Sequence, residues 1–160
     1  MASEKKKIPV YLWALWPVLS AVLTILMLMI DTRVGPLLAP VNEISVVGVV
    51  VVLAGMFVTG YAAFRFAKSG VGALKAALIG NAIPILCVAV FTVFVLTGSG
   101  ESDTAVMISC MGTGIFQILA AYFTVLIGKT LSYFEVYIAF AALIGTFIVG
   151  YAVGFSKSKK

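Results

Sequence analysis

The residue types that do most protein chemistry are scarce in this chain, and their spacing fits no catalytic or metal-binding pattern. There is no histidine, which removes the base of a Ser-His pair and both ligands of an H-E-x-x-H zinc motif. The carboxylates are Glu4, Asp31, Glu43, Glu101, Asp103 and Glu135. All stand at the ends of apolar runs or in the turns between them. No acidic pair lies inside a run, so neither an intramembrane aspartyl protease nor a buried carboxylate proton relay finds its residues. Gly128-Lys129-Thr130 ends like a phosphate-binding loop, but that loop needs a glycine five residues before Gly128, and Phe123 stands there. Cys87 and Cys110 both fall within apolar runs and read as small packing residues rather than a disulfide framework. Cysteine, methionine and the scattered carboxylates show no ligand spacing. The sequence thus assigns no catalytic residue, no cofactor site and no metal site, and it points away from an enzyme.

Neutral polar groups inside the apolar runs are the remaining candidates. Gln117 sits near the middle of one run. At about 1.5 Å of rise per residue, Ser20 and Thr146 come to a similar depth in theirs. An amide in hydrocarbon needs hydrogen-bonding partners, and either hydroxyl could serve. The three would then form a midplane polar site of the kind in which transporters bind substrate. The plainer alternative is one interhelical hydrogen bond, about 0.6 kcal/mol on average. Asn81 stands three residues before Pro84. Proline has no N–H and strips the carbonyl of Gly80 of its donor, so this pair marks a kink.

The elements that must hold these groups are set by composition. Of the 160 residues, 62% are hydrophobic and 11% charged, whereas a soluble domain carries about 25% charged residues. The apolar residues come in runs long enough to cross a bilayer, which takes about 20 residues. Five runs are expected to be membrane helices: about 10–30, 44–64, 76–97, 105–127 and 136–155. The expected fold is therefore all-α, a single polytopic transmembrane bundle of five spans, with four spans as the alternative. The first run exceeds a signal-peptide core and has no clean cleavage site after it, so it is expected to be retained. Asn42 is a candidate cap for the second helix, Ser102-Asp103-Thr104 for the fourth, and Ser132-x-x-Glu135 has the capping-box pattern for the fifth.

Small residues recur on helix faces. Ala142, Thr146, Gly150 and Gly154 are spaced by four, as are Ser109, Thr113, Gln117 and Ala121, with Gly112 beside them. Gly48, Gly55 and Thr59 share a face of the second helix. Small residues at such spacing let helices approach closely, so Gly48, Gly55, Gly112, Gly150 and Gly154 are expected at helix–helix contacts.

The net charge of +5 is carried in connectors and at the ends, and no basic face with interleaved aromatics suggests nucleic acid. With five spans and a cytoplasmic N-terminus, the inner side holds Lys5, Lys6, Lys7, Arg65, Lys68, Lys75 and Lys129. The outer side holds Arg33, Lys157, Lys159 and Lys160. The positive-inside rule favours this orientation, with the C-terminal lysines as its misfit; an even number of spans would bring them inside. The expected partner is the lipid bilayer, with a homo-oligomer or a larger membrane complex beyond it, and the expected location is the plasma membrane. The sequence favours a non-catalytic subunit or scaffold packed against other membrane helices. A small transporter or solute-binding component with the midplane site is the alternative.

Overall fold

The computed structural model describes residues 45–127 and 133–158, together with positions 12, 15, 16, 18–20, 22, 23 and 26. Among these residues the structure is helical, with no strand. Six helices follow one another: α1 (Val46–Lys68), α2 (Ala73–Gly80), α3 (Ala82–Leu96), α4 (Asp103–Thr113), α5 (Phe116–Ile127) and α6 (Phe134–Ser158). The described positions from Trp16 to Leu26 are also helical. The rest of the first expected span lies outside the described residues, as do Asn42, Ser132 and Gly128-Lys129-Thr130.

Two helices, α1 with 23 residues and α6 with 25, are long and apolar enough to cross a membrane singly. Their charges lie only near the ends, and between the first and last turns each satisfies its backbone groups within the helix, as hydrocarbon demands. Ser45 caps α1 by accepting from the Gly48 amide, and Ser102 caps α4 by accepting from the Ala105 amide. The other helices form two bent pairs, α2 with α3 at 63° and α4 with α5 at 107°. Each pair could count as one span, which gives up to four such elements among the described residues.

The bend between α2 and α3 falls at Asn81, three residues before Pro84. Asn81 steadies the interrupted turn by donating from both its backbone amide and its Nδ2 to the Ala77 carbonyl, each at 3.0 Å. The bend between α4 and α5 corrects the expectation of one continuous helix over 105–127. Gly114 has φ 53° and ψ −133°, a conformation that a Cβ makes costly and glycine adopts freely. Ser109 and Thr113 also turn their hydroxyls onto backbone carbonyls, those of Val106 and Ser109, an interaction that bends helices.

Side-chain contacts fix the direction of each helix. Gly60 of α1 faces Thr146 and Gly150 of α6, and Phe64 and Ala67 face Gly154, so α1 and α6 run parallel. Tyr133 and Tyr137 at the start of α6 meet Phe91 and Thr92 late in α3. Phe147 meets Gly80 at the end of α2, and Tyr151 donates to the Val71 carbonyl before α2 at 2.6 Å. Helix α6 therefore runs antiparallel to the α2–α3 pair. In α5, Ile115 just before the helix meets Gly55, and Tyr122 donates to the carbonyl of Ser45, the α1 cap. Helix α5 thus returns toward the end of the bundle from which α1, α4 and α6 all start. Charge follows the same division. Arg65, Lys68, Lys75 and Lys157 lie at one end, and Glu101, Asp103 and Glu135 at the other. Bases thus sit at the C-termini of α1 and α6, and acids in the first turns of α4 and α6, where helix dipoles favour them.

Candidate polar site at two interrupted helices

The tip of the α4–α5 pair rests on the break between α2 and α3. Gly112 makes the approach possible, because a Cβ there would stand 2.6 Å from the Cβ of Cys87 and 3.4 Å from the Pro84 carbonyl. Ser20 closes over the tip from the N-terminal segment, its Oγ accepting from the Ile115 amide at 3.4 Å. Trp16, one turn earlier, donates from Nε1 to Thr59 Oγ1 of α1 at 2.8 Å. Between these elements lies a small cavity with about 10 Å³ of room for a water-sized occupant, enough for about one water. Its polar lining comes from Ser20, Thr59, Asn81 and Thr113, with Phe116, Leu143 and Phe147 forming apolar walls.

Asn81, Thr59 and Thr113 are 1%, 3% and 0% exposed. Buried polar atoms almost always find partners, yet several here find none among the described residues. Asn81 uses one N–H, to Ala77, and its Oδ1 accepts nothing. The carbonyls of Gly80, Gly112 and Thr113 receive no hydrogen bond either. For Gly80 the cause is the proline four residues on. For Gly112 and Thr113 it is the end of α4, where the last carbonyls lack an amide one turn ahead. Both breaks are buried in the protein and line the cavity.

The expected trio of Gln117, Ser20 and Thr146 is not brought together. The Gln117 amide turns back onto α4, donating from Nε2 to Ser109 Oγ at 3.0 Å and accepting the Cys110 thiol at 3.1 Å. Thr146 donates to Ala142 one turn earlier and lines a surface groove between α1 and α6. Of the three, Ser20 alone reaches the cavity. Asn81 reaches it too, and the Pro84 carbonyl touches the tip. Thr59 and Thr113 were legible only as members of small-residue stripes.

The glycines stand between packed elements. Gly150 approaches the Gly60 backbone so closely that a side chain would collide with it, and Gly154 meets Phe64 and Ala67. Gly55 packs on Ile115, and Gly48 is buried in the first turn of α1. Gly145 differs, having nothing within 4 Å of a built Cβ. It lines the groove of about 650 Å³ between α1 and α6, whose surface is almost wholly apolar.

No protein-family profile, curated protein or solved structure matches this chain.

Proposed function

We propose that this is a four-pass plasma-membrane protein in which the α4–α5 pair is a re-entrant loop, and that it acts as a small transporter or solute-binding component. Its ligand site is the polar cavity where the loop tip meets the broken α2–α3 span. The observation that carries this reading is that junction: two interrupted helices and a buried asparagine converge on one cavity. Transporters bind substrates at interrupted helices near the midplane, and a purely structural bundle gains nothing from leaving polar atoms without partners there.

Topology supports the same reading. Helices α4 and α5 have 11 and 12 residues, about 17 Å each, against a hydrocarbon core of about 30 Å. With four passages and a cytoplasmic N-terminus, Lys5, Lys6, Lys7, Arg65, Lys68, Lys75, Lys157, Lys159 and Lys160 are inside, and Arg33 and Lys129 outside. Five passages leave the three C-terminal lysines on the wrong side and would set α1 antiparallel to α6. The four-pass arrangement satisfies the positive-inside rule better.

The test is water access to the tip. In a protein with Cys87→Ala and Cys110→Ala, the thiol of Thr113→Cys should react from one side of the membrane with Ag⁺, a thiophilic ion small enough for the cavity, and so be protected from alkylation after unfolding. Absence of reaction from either side would contradict a solute path.

The α1–α6 groove favours a second reading, that of a subunit in a homo-oligomer or a larger complex. Gly60, Ala142, Gly145 and Thr146 give it a floor of small residues, which suits close approach of another membrane helix. Purification in mild detergent with mass spectrometry of co-purifying chains tests it. A stoichiometric partner lost on Gly145→Leu would favour the groove, whereas a lone monomer would count against it.

A further inference from the structure

We infer that the cavity at the two helix breaks binds a dehydrated monovalent cation, with Na⁺ the best-fitting candidate. This rests on the reading of the cavity as a ligand site and names its ligand. Three observations carry it. The first is the sign of the partial charges. Among the described lining residues four acceptors lack a donor, Asn81 Oδ1 and the carbonyls of Gly80, Gly112 and Thr113, against two N–H groups that lack an acceptor, the second of the Asn81 amide and that of Phe116. The three carbonyls belong to the C-terminal ends of α2 and α4, the negative ends of those helix dipoles, while α3 and α5 begin at the same breaks. Half-helix C-termini and unwound carbonyls coordinate Na⁺ in membrane transporters. Acceptors thus outnumber donors in the lining, which favours a cation over an anion.

The second is the absence of charge in the lining. Among the described residues none that lines the cavity is acidic or basic, and no cluster of His, Cys, Asp and Glu could hold a metal ion. A divalent ion is held by carboxylates, and proton binding needs a titratable group. Neutral oxygens around a buried positive charge fit a monovalent ion. The third is size. The cavity has room for about one water-sized occupant, too little for an organic solute. The hydroxyls of Thr59 and Thr113 each keep an oxygen lone pair for such an ion while their present bonds persist, Thr59 accepting from Trp16 and Thr113 donating to Ser109.

The test is thermal unfolding of the purified protein in detergent, at constant ionic strength, as NaCl replaces choline chloride. A ligand that binds the folded state alone raises the midpoint with its concentration, here by roughly 2–5 °C over a hundredfold rise in Na⁺. Asn81→Leu removes the side-chain oxygen and should abolish the rise. Thr59→Val, a milder change should Asn81→Leu fail to fold, should shift it to at least tenfold higher Na⁺. Asn81→Asp places a carboxylate at the ion and should move the response to lower Na⁺. A wild-type midpoint indifferent to Na⁺, or a response that survives in both Asn81→Leu and Thr59→Val, would overturn the inference. If Thr113→Cys is still labelled by Ag⁺ in that case, the solute path stands and only its ligand is wrong. If labelling fails as well, both readings fall.

Discussion

Gly100 and Tyr133 touch: a Cβ on Gly100 would lie 2.7 Å from Cε1 of the Tyr133 ring. The first stands just before α4 and the second just after the link from α5 to α6. The chain between them enters the bundle, reaches Asn81 and Pro84, and comes back to the end it left. A span that crossed the bilayer would part these two residues by about 30 Å.

The return depends on Gly114. Its positive φ is strained for any residue with a Cβ, and a Cβ there would also meet Ser20 Oγ at 2.5 Å. Gly114→Ala is expected to destabilise the fold by ~1–3 kcal/mol. Gly98 also has a positive φ, 77°, but open space around it, so Gly98→Ala should cost only about 1 kcal/mol. Thermal unfolding of the two variants side by side measures the difference, and equal losses would mean that the Ser20 contact is irrelevant.

Gly150 and Gly145 lie one and a half turns apart on α6 with opposite surroundings. Gly150→Leu would force the α6 backbone away from Gly60 and should destabilise by roughly 3 kcal/mol or more. Gly145→Ala meets nothing and should be neutral or stabilising within about 1 kcal/mol. Unfolding of the detergent-solubilised variants checks both, and a tolerated Gly150→Leu would refute the close α1–α6 contact.

Gln117 bonds across the α4–α5 bend and does not line the cavity. Gln117→Leu leaves Ser109 and Cys110 without their partner and should cost about 1–2 kcal/mol. Ag⁺ labelling of Thr113→Cys and the Na⁺ response should survive in that variant, while the Na⁺ response disappears in Asn81→Leu. Loss of the Na⁺ response in a stable Gln117→Leu protein would return the amide to the site.

The helices themselves were legible from apolar run length, because hydrocarbon imposes length and purity on whatever crosses it. The Asn81 break was legible as well, since proline chemistry is local. The second break was not. Gly112 and Gly114 lie in a segment whose polar residues recur every four positions, and that spacing implied a straight helix. In a straight helix, Ser109 and Gln117 would stand about 12 Å apart. Their 3.0 Å hydrogen bond exists because the chain folds back between them. The one sequence feature at odds with five straight spans was the set of three C-terminal lysines, which an odd number of spans leaves on the outer side. The partners of Gln117 could not be read from depth alone, because depth ignores which way a helix faces and assumes that each run crosses.

The account turns on where α6 ends. Fusing green fluorescent protein or alkaline phosphatase after Lys160, in a bacterial host, measures that directly. The re-entrant arrangement requires a fluorescent fusion and an inactive phosphatase, which puts the C-terminus in the cytoplasm with the N-terminus. An active phosphatase and a dark fluorescent fusion would mean that α4–α5 crosses the membrane, and the site at its tip would have to be abandoned.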